Sequence, residues 1–175
     1  MAELHVTGQL HSASDFEATG LFAKYEALAS DNFRLLQGIA HGHTHVDHPH
    51  DDEIALWAHP IDLHYATKSI DGWPRINIEV WGVDEFGRVE LQGYGVAIVP
   101  TAPGLHEVRC KTWRPSGSLR EQLSSFFLGG VPTLKNRDVI SSGSERYRLS
   151  TESSGEVVLK LCVVPKDFQR YGVSL

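Results

Sequence analysis

Short apolar stretches that alternate with polar residues recur along the chain, separated by glycine, proline and aspartate. In "PRINIEVWGV", Ile76, Ile78 and Val80 share one face, as in a half-buried strand. Similar short segments occur at 4–10, 22–28, 95–100, 146–150 and 155–165. The long spacing of parallel βαβ units is absent, so the pattern predicts an all-β, antiparallel sandwich or barrel.

One segment, "SLREQLSSFFLGG", has the periodicity of a helix instead. Ser118 and Glu121 form a capping-box pattern at its start, and a pair of glycines follows its last apolar residue. The apolar residues that fall on one helical face are Leu119, Leu123, Phe126 and Phe127. The pattern predicts one short inserted α-helix near 118–128, which covers the sandwich and buries Leu123 and one of the two phenylalanines.

The length and composition favour one domain over residues 1–175. Apolar residues make up 41% of the 175 residues and charged residues 22%, which suits a chain that buries a core. We expect Trp73, Trp81 and Trp113 to be at least partly buried in it. No apolar run is long enough to span a membrane, and the N-terminal segment lacks a secretion signal. Reduced thiols are therefore expected at Cys110 and Cys162.

The net charge of −6 is unevenly distributed. Residues 1–100 contain 5 Lys and Arg against 15 Asp and Glu, a balance of −10, whereas residues 101–175 contain 11 against 7, a balance of +4. This asymmetry is either uneven decoration of the surface or a pair of faces with opposite sign. The basic part lacks the dense Lys, Arg and aromatic interleaving of a nucleic-acid binder, so no nucleic acid is expected as a partner.

The densest candidate chemistry is the histidine tract, residues 41–53, "HGHTHVDHPHDDE". Imidazole and carboxylate are common metal ligands, and His43 and His45 have the His-x-His spacing of a cupin. The glutamate that completes the cupin pattern is missing, however, and Pro49 suits a surface connection. We therefore interpret the tract as a polar loop in which His43 and His45 bind metal only adventitiously.

The sequence signatures of familiar enzymes are absent. There is no G-x-S-x-G, no P-loop, no H-E-x-x-H and no C-x-x-C. We therefore expect no enzymatic activity, no catalytic residue and no cofactor.

The stretch "EVWGVDEFGRVELQGYG" resembles a calcium loop of a C2 domain, because an acidic loop lies between two strands. Asp84 and Glu90 are weak candidate calcium ligands there, and Asp15 in "SASDFEATGLFAKY" is a third. Gly82 occupies what looks like the first acidic position, so a carboxylate is missing there. Calcium requires about six to eight oxygens, which makes this candidate site incomplete. The alternative is that Asp84 and Gly87 shape a turn.

Several longer motifs resemble the B9-domain family: "HPIDLHYATKSIDGWPRINIEVW", "DEFGR", "GYG", "TWRPSGSLREQL", "SGSERYRL" and "DFQRYGV". With the weaker similarity of "AELHVTGQL", they cover nearly the whole chain, and the "TWRP" and "RYGV" stretches are the most specific. The histidine load of the tract departs from the family pattern. The resemblance implies a divergent C2-like β-sandwich.

The resemblance also implies a function. Members of the family act in the ciliary transition zone, in the complex named for Meckel syndrome. The chain is therefore expected to be a non-enzymatic scaffold subunit at the cytoplasmic side of the ciliary base. The implied partners are other B9-domain proteins, namely the other short member and the larger Meckel-syndrome member. The alternative is a calcium- or phospholipid-binding C2 module in peripheral contact with the ciliary membrane.

Two stretches have the composition of a protein interface, in which Trp, Tyr and Arg are enriched. They are "KTWRPSG" in a predicted loop and "DFQRYGV" in the terminal tail. The candidate partner-binding residues are Trp113, Arg114, Phe168, Arg170 and Tyr171. The tail is either strapped onto the sandwich or offered to a neighbour. Our hypothesis is that the basic C-terminal part meets an acidic partner surface, with Arg114 or Arg170 near its centre.

Overall fold

The computed structural model describes residues 1–49, 54–116, 134, 140 and 150–173. These residues form nine β-strands and one short 3-10 helix at Phe168–Tyr171. The strands are β1 (Ala2–Ser14), β2 (Gly20–Leu28), β3 (Phe33–Gly38), β4 (His41–His43), β5 (Ala55–Thr67), β6 (Arg75–Val83), β7 (Val89–Ile98), β8 (Gly104–Pro115) and β9 (Thr151–Lys166). No helix among the described residues is long and apolar enough to cross a membrane.

The strands pair antiparallel in the order β3-β5-β1-β9-β8-β7-β6-β2-β4. Within the described part, β7 and β8 pair only at Tyr94 and Trp113, and this weak junction divides the sheet into two halves. The two halves pack face to face. A hydrogen bond connects them: the Trp57 Nε1–H of β5 donates to the Leu21 carbonyl oxygen of β2 at 3.0 Å. The all-β antiparallel sandwich predicted from the sequence is confirmed.

The core lies between the two halves and is built by alternation along the strands. On β6, Ile76, Ile78 and Val80 are fully buried, as the sequence pattern predicts. On β1, Leu4 and Val6 alternate in the same way. A register shift between Leu10 and Ser12 then changes which residues of β1 face the core. Trp73 and Trp81 are partly buried and Trp113 is buried, which confirms the prediction for the tryptophans.

The predicted helix near 118–128, with Leu119, Leu123, Phe126 and Phe127, lies outside the described residues. The same holds for nearly all of the predicted strand at 146–150. Both cysteines are free, as expected: Cys110 is buried and Cys162 is partly exposed.

The acidic and basic parts of the chain are interleaved in the fold. Strand β1 from the acidic part pairs with β9 from the basic part on one side and with β5 on the other. Cations of the basic part form cross-strand ion pairs, as between Lys166 and Glu3 at 3.0 Å. The strand order therefore favours uneven decoration over two faces of opposite sign.

Candidate protein-interaction site

The first candidate stretch lies in a strand, and the expectation that it is a loop is wrong. Strand β8 continues to Pro115, which pairs with Thr151 of β9, so the backbone of Trp113 and Arg114 is held in the sheet. The Trp113 side chain is only 5% exposed and packs against the Tyr94 ring, with 5.6 Å between ring centroids. Trp113 is therefore a core residue of this end of the sandwich, and its ring is not available on the surface.

Arg114 has the opposite orientation and remains partly exposed. Its Nε lies 3.6 Å from Glu152 Oε2 on the neighbouring strand β9. The side chain lines a cleft at this end of the sandwich, which we call the end cleft and which also contains Glu17, Asp84, Arg88 and Glu90. The end cleft thus brings together two cations and three carboxylates, a mixture suited to charged hydrogen bonds with another protein.

Two of the candidate calcium ligands lie in the end cleft, but Asp84 already has partners. Its carboxylate accepts hydrogen bonds from the backbone N–H of Phe86 at 2.9 Å and of Arg88 at 2.8 Å. It also pairs with Arg88 Nε at 2.6 Å. The backbone hydrogen bond from Arg88 contributes most to holding the pKa of Asp84 below its ordinary value, with further contributions from the Arg88 side chain and the Phe86 N–H. Asp84 and Gly87 therefore shape a turn, the alternative that the sequence left open.

The three candidate calcium ligands do not converge in the described part of the chain. Asp15 lies outside the end cleft, has φ of 61° and accepts a hydrogen bond from the Ser14 hydroxyl at 3.3 Å. Glu90 lines the end cleft with Asp84, yet these residues do not form a cluster of possible ligand atoms within 4.8 Å of one another. The geometry of the described residues therefore gives no support to a calcium cage at Asp15, Asp84 and Glu90.

The histidine tract begins as a short edge strand, which corrects the prediction that it is entirely a loop. Lys24 of β2 pairs with His43 of β4, and His43 and His45 are exposed. Both lie close enough to His59 to affect it: burial lowers the pKa of His59, and repulsion from His43 and His45 lowers it further. Residues 50–53 of the tract lie outside the described part.

The terminal tail is strapped onto the sandwich by Phe168. This side chain is 6% exposed and packs against the Trp73 ring, with 6.2 Å between ring centroids. Arg170, by contrast, has a side chain that is 79% exposed, and its Nε lies 3.2 Å from Asp167 Oδ1. The Tyr171 side chain lies outside the described part. Of the two candidates Phe168 and Arg170, only the arginine is presented on the surface.

Sequence reasoning missed Arg88 and Glu17 as members of the end cleft. The pairing of Arg88 with Asp84 could have been predicted from the sequence, because a cation four residues after Asp84 in "DEFGR" is a usual partner in a tight turn. Glu17 gave no signal, since it precedes β2 and reaches the cleft only through the pairing of β2 with β6. Both residues add charge to the surface around Arg114.

Comparison with known proteins assigns the chain to a family. Residues 4–164 match the model of the B9-C2 family, described as "Ciliary basal body-associated, B9 protein". B9 domain-containing protein 2 is 49% identical over 173 residues in both Danio rerio and Homo sapiens, covering 99% of this chain and 99% of each relative. B9 domain-containing protein 1 of Mus musculus is 31% identical over 172 residues, covering 97% of this chain and 84% of the relative.

Among solved structures, the C2A domain of plant Extended Synaptotagmin 1 is similar with a TM-score of 0.46 at 13% identity. The match covers 93% of this chain and 94% of that domain. The family model and the full-length relatives together establish the assignment: the chain belongs to the B9-C2 family of ciliary basal body-associated B9 proteins.

Proposed function

We propose that this chain is a non-enzymatic scaffold subunit at the cytoplasmic side of the ciliary base. It acts in the transition-zone complex named for Meckel syndrome, where it binds other B9-domain proteins and supports cilium assembly and the ciliary gate. The observation that carries the proposal is the match over 99% of both chains to B9 domain-containing protein 2. The proposed partners are B9 domain-containing protein 1 and the larger Meckel-syndrome B9 protein.

The proposed contact surface at one end of the sandwich is centred on Arg114. A guanidinium has five N–H donors in a rigid fork, and within the described part Arg114 forms one long ion pair with Glu152. The buried ring of Trp113 fixes the strand from which Arg114 projects. Arg114 is thus held on a rigid element and keeps donors for a partner carboxylate, which lowers the entropy cost of binding.

Arg170 belongs to a different proposed surface, because it lies at the opposite end of the sandwich. Arg114 pairs with Glu152 near the start of β9, the end at which β9 also pairs with Ser14 of β1. Arg170 lies just beyond the other end of β9, where β9 pairs with Glu3. Strand β1, with 13 residues, spans about 40 Å between these ends. A standard interface covers about 800 Å² per partner, roughly 30 Å across, so one interface cannot be centred on both arginines. The two arginines therefore test two separate surfaces.

The experiment is co-purification of the untagged chain with each tagged sister B9 protein, using single charge reversals. Arg114→Glu and Arg170→Glu are each compared with Arg109→Glu. Arg109 is a matched control because it is an exposed arginine on β8 that pairs with Glu107 at 3.0 Å and with Glu156 at 3.7 Å. We expect at least one of the two test variants to lose a partner that the Arg109 variant keeps.

The melting temperature of each isolated variant separates a binding defect from a folding defect. A variant that loses a partner and keeps the wild-type melting temperature supports a contact at that end of the sandwich. Capture of both sister proteins at wild-type levels by both test variants places the interface elsewhere. Failure of the wild-type chain to co-purify with either sister protein would contradict the scaffold function itself.

A further inference from the structure

A cluster of metal-ligating side chains lies on the outer face of the sandwich, at the end where β9 leads into the tail that carries Arg170. His5 of β1 is directly opposite His64 of β5 in the antiparallel register. Glu3 lies two residues before His5, so it points to the same side of β1. Lys166 of β9 is opposite Glu3 on the other flank. Three neighbouring strands thus place two imidazoles, one carboxylate and one ammonium together.

The distances within the cluster are those of ligands that share one small ion. Glu3 Oε2 lies 3.5 Å from His64 Nε2 and 3.7 Å from His5 Nε2. The possible ligand atoms of all three residues lie within 4.8 Å of one another. Zinc bonds nitrogen and carboxylate oxygen at about 2.0–2.2 Å, which separates neighbouring tetrahedral ligands by about 3.4 Å. Shifts of a few tenths of an ångström bring the carboxylate to this spacing from each of the two nitrogens.

His64 supplies a second, independent observation. Its Nε2 atom is covered by protein atoms and makes no hydrogen bond of acceptable geometry with the described residues. Buried polar atoms are nearly always paired, so a nitrogen in this state needs an explanation. The atom faces the Glu3 carboxylate at 3.5 Å, on the side where a shared ion would lie. A metal ion in that position replaces the long contact between His64 Nε2 and Glu3 Oε2 with two short bonds.

The two imidazoles are stacked, so binding of one ion requires a change in ring orientation. The rings of His5 and His64 lie 3.8 Å apart between centroids, with 18° between their planes. Parallel rings must splay for both Nε2 lone pairs to converge on one ion. His5 can provide this rotation, because its side chain is the more exposed of the two.

Lys166 holds the carboxylate in place before an ion arrives. Its Nζ lies 3.0 Å from Glu3 Oε2, and this hydrogen bond contributes most to holding the pKa of Glu3 below its ordinary value. The ammonium competes with a metal ion for the same oxygen. It is on a flexible side chain that is 59% exposed, so it can move to the second carboxylate oxygen or into solvent.

We infer that Glu3, His5 and His64 form a zinc site that clips β1 to β5 on the outer face of the sandwich. Two imidazoles and one carboxylate suit zinc, whereas calcium prefers oxygen ligands alone. Three protein ligands leave the fourth tetrahedral position for water. The clip joins residues about sixty positions apart in the chain, and it therefore stabilises the folded pairing of β1 with β5.

The test uses untagged, chelator-treated protein in which the five tract histidines are replaced by Gln, so that the tract cannot mask the result. Zinc chloride is titrated into this background by calorimetry, and then into three variants of it: Glu3→Gln, His5→Gln and His64→Gln. His106→Gln is the matched control, because His106 lies on β8 and is not one of the clustered residues. Cobalt chloride is added in parallel, since cobalt bound in tetrahedral geometry is read by its visible absorption.

We expect one equivalent of zinc to bind the background protein and the His106 variant. Loss of one direct ligand should weaken binding by more than the roughly 10- to 100-fold that removal of an outer-shell partner costs. At about 100 times the dissociation constant, zinc should raise the melting temperature by roughly 5–10 °C. The inference is overturned if the background protein binds no stoichiometric zinc, or if His5→Gln and His64→Gln bind it as the control does. Should His64→Gln fail to fold, the more exposed His5 decides the outcome alone.

Discussion

Trp57→Phe tests the packing that closes the sandwich. Trp57 of β5 is 3% exposed, and its Nε1–H donates to the Leu21 carbonyl of β2 at 3.0 Å. The substitution keeps an aromatic ring in the core but removes the donor and the pyrrole part of the indole. Because this hydrogen bond joins the two halves of the sheet, its loss measures how much the closed arrangement contributes to stability.

The expected cost follows from two terms. A neutral hydrogen bond contributes about 1 kcal/mol net, and the Leu21 carbonyl keeps a second partner in the Asp47 N–H at 2.9 Å, so it is not left unpaired. The smaller ring leaves a cavity that costs about 1–2 kcal/mol, more than deletion of one methyl group and less than truncation of leucine to alanine. The free energy of unfolding should therefore fall by about 2–3 kcal/mol, which lowers the melting temperature by roughly 4–12 °C.

Urea denaturation of Trp57→Phe and Trp73→Phe gives the measurement and its matched control. Trp73 also donates from Nε1 to a backbone oxygen, that of Val99 at 2.8 Å, but its ring is only partly buried. Both variants lose one hydrogen bond, so the difference between them, about 1–2 kcal/mol, reports the buried cavity. The slope of unfolding free energy against urea should not change. If Trp57→Phe costs no more than Trp73→Phe, the contact between β5 and β2 does not close the core as described.

Three further predictions concern ionisable groups. Burial raises the pKa of Cys110 to about 11, so in native protein at pH 8 Cys110 should react with a thiol reagent far more slowly than the partly exposed Cys162, whereas equal rates would contradict its burial. The Asp84 carboxylate has a pKa below its ordinary 3.8, so the stability that it gives the fold is present above pH 3.8 and is lost as the pH falls below it. Asp84→Asn should reduce this loss of stability at acid pH, measured by urea denaturation at a series of pH values. If the dependence of stability on pH is unchanged, the pairing of Asp84 with Arg88 is contradicted. Replacing His43, His45, His48 and His50 by Gln should change the free energy of unfolding by no more than about 0.5 kcal/mol, as for other surface changes, and a larger loss would show that the tract is structural.

The fold was predictable where alternation is undisturbed and hidden where it is not. Strand β6 is predictable from the alternation of Ile76, Ile78 and Val80, which are all fully buried. Strand β5 contains Pro60 in its interior, so the sequence does not predict one long strand there. The structure accommodates the interruption with an irregular backbone, with positive φ at Ala58. Strand β8 carries an exposed Leu105 beside polar residues, and its inward face is marked only from Val108 onward, by Val108, Cys110 and Thr112. Local propensity is a weak guide to such strands, because their positions are decided by neighbours distant in sequence.

The candidate sites divide along the same line between local and distant contacts. The pairing of Asp84 with Arg88 lies within one turn, so the sequence alone offered the turn as an explanation. The cluster of Glu3, His5 and His64 depends on the register between β1 and β5, and a slip of one residue would turn His64 to the other face. The sequence drew attention to the histidine tract, whereas the histidines that converge with a carboxylate are scattered. Density of ligand residues in sequence is therefore a poorer guide than cross-strand register in an antiparallel sheet.

The two proposed contact surfaces share one construction, a buried aromatic residue that holds an exposed arginine nearby. Trp113 precedes Arg114 directly, and Phe168 lies two residues before Arg170. Both rings are buried inside the chain, while both guanidiniums reach the surface. Among the described residues they form only exposed ion pairs, which contribute little to stability. Substitution of the aromatic residue and substitution of its arginine should therefore have different effects on melting temperature and on partner capture. Trp113→Ala should lower the melting temperature and lose partner capture together, as expected for a large core truncation. Arg114→Glu should lose partner capture at an unchanged melting temperature, and a fall of both would make Arg114 a structural residue.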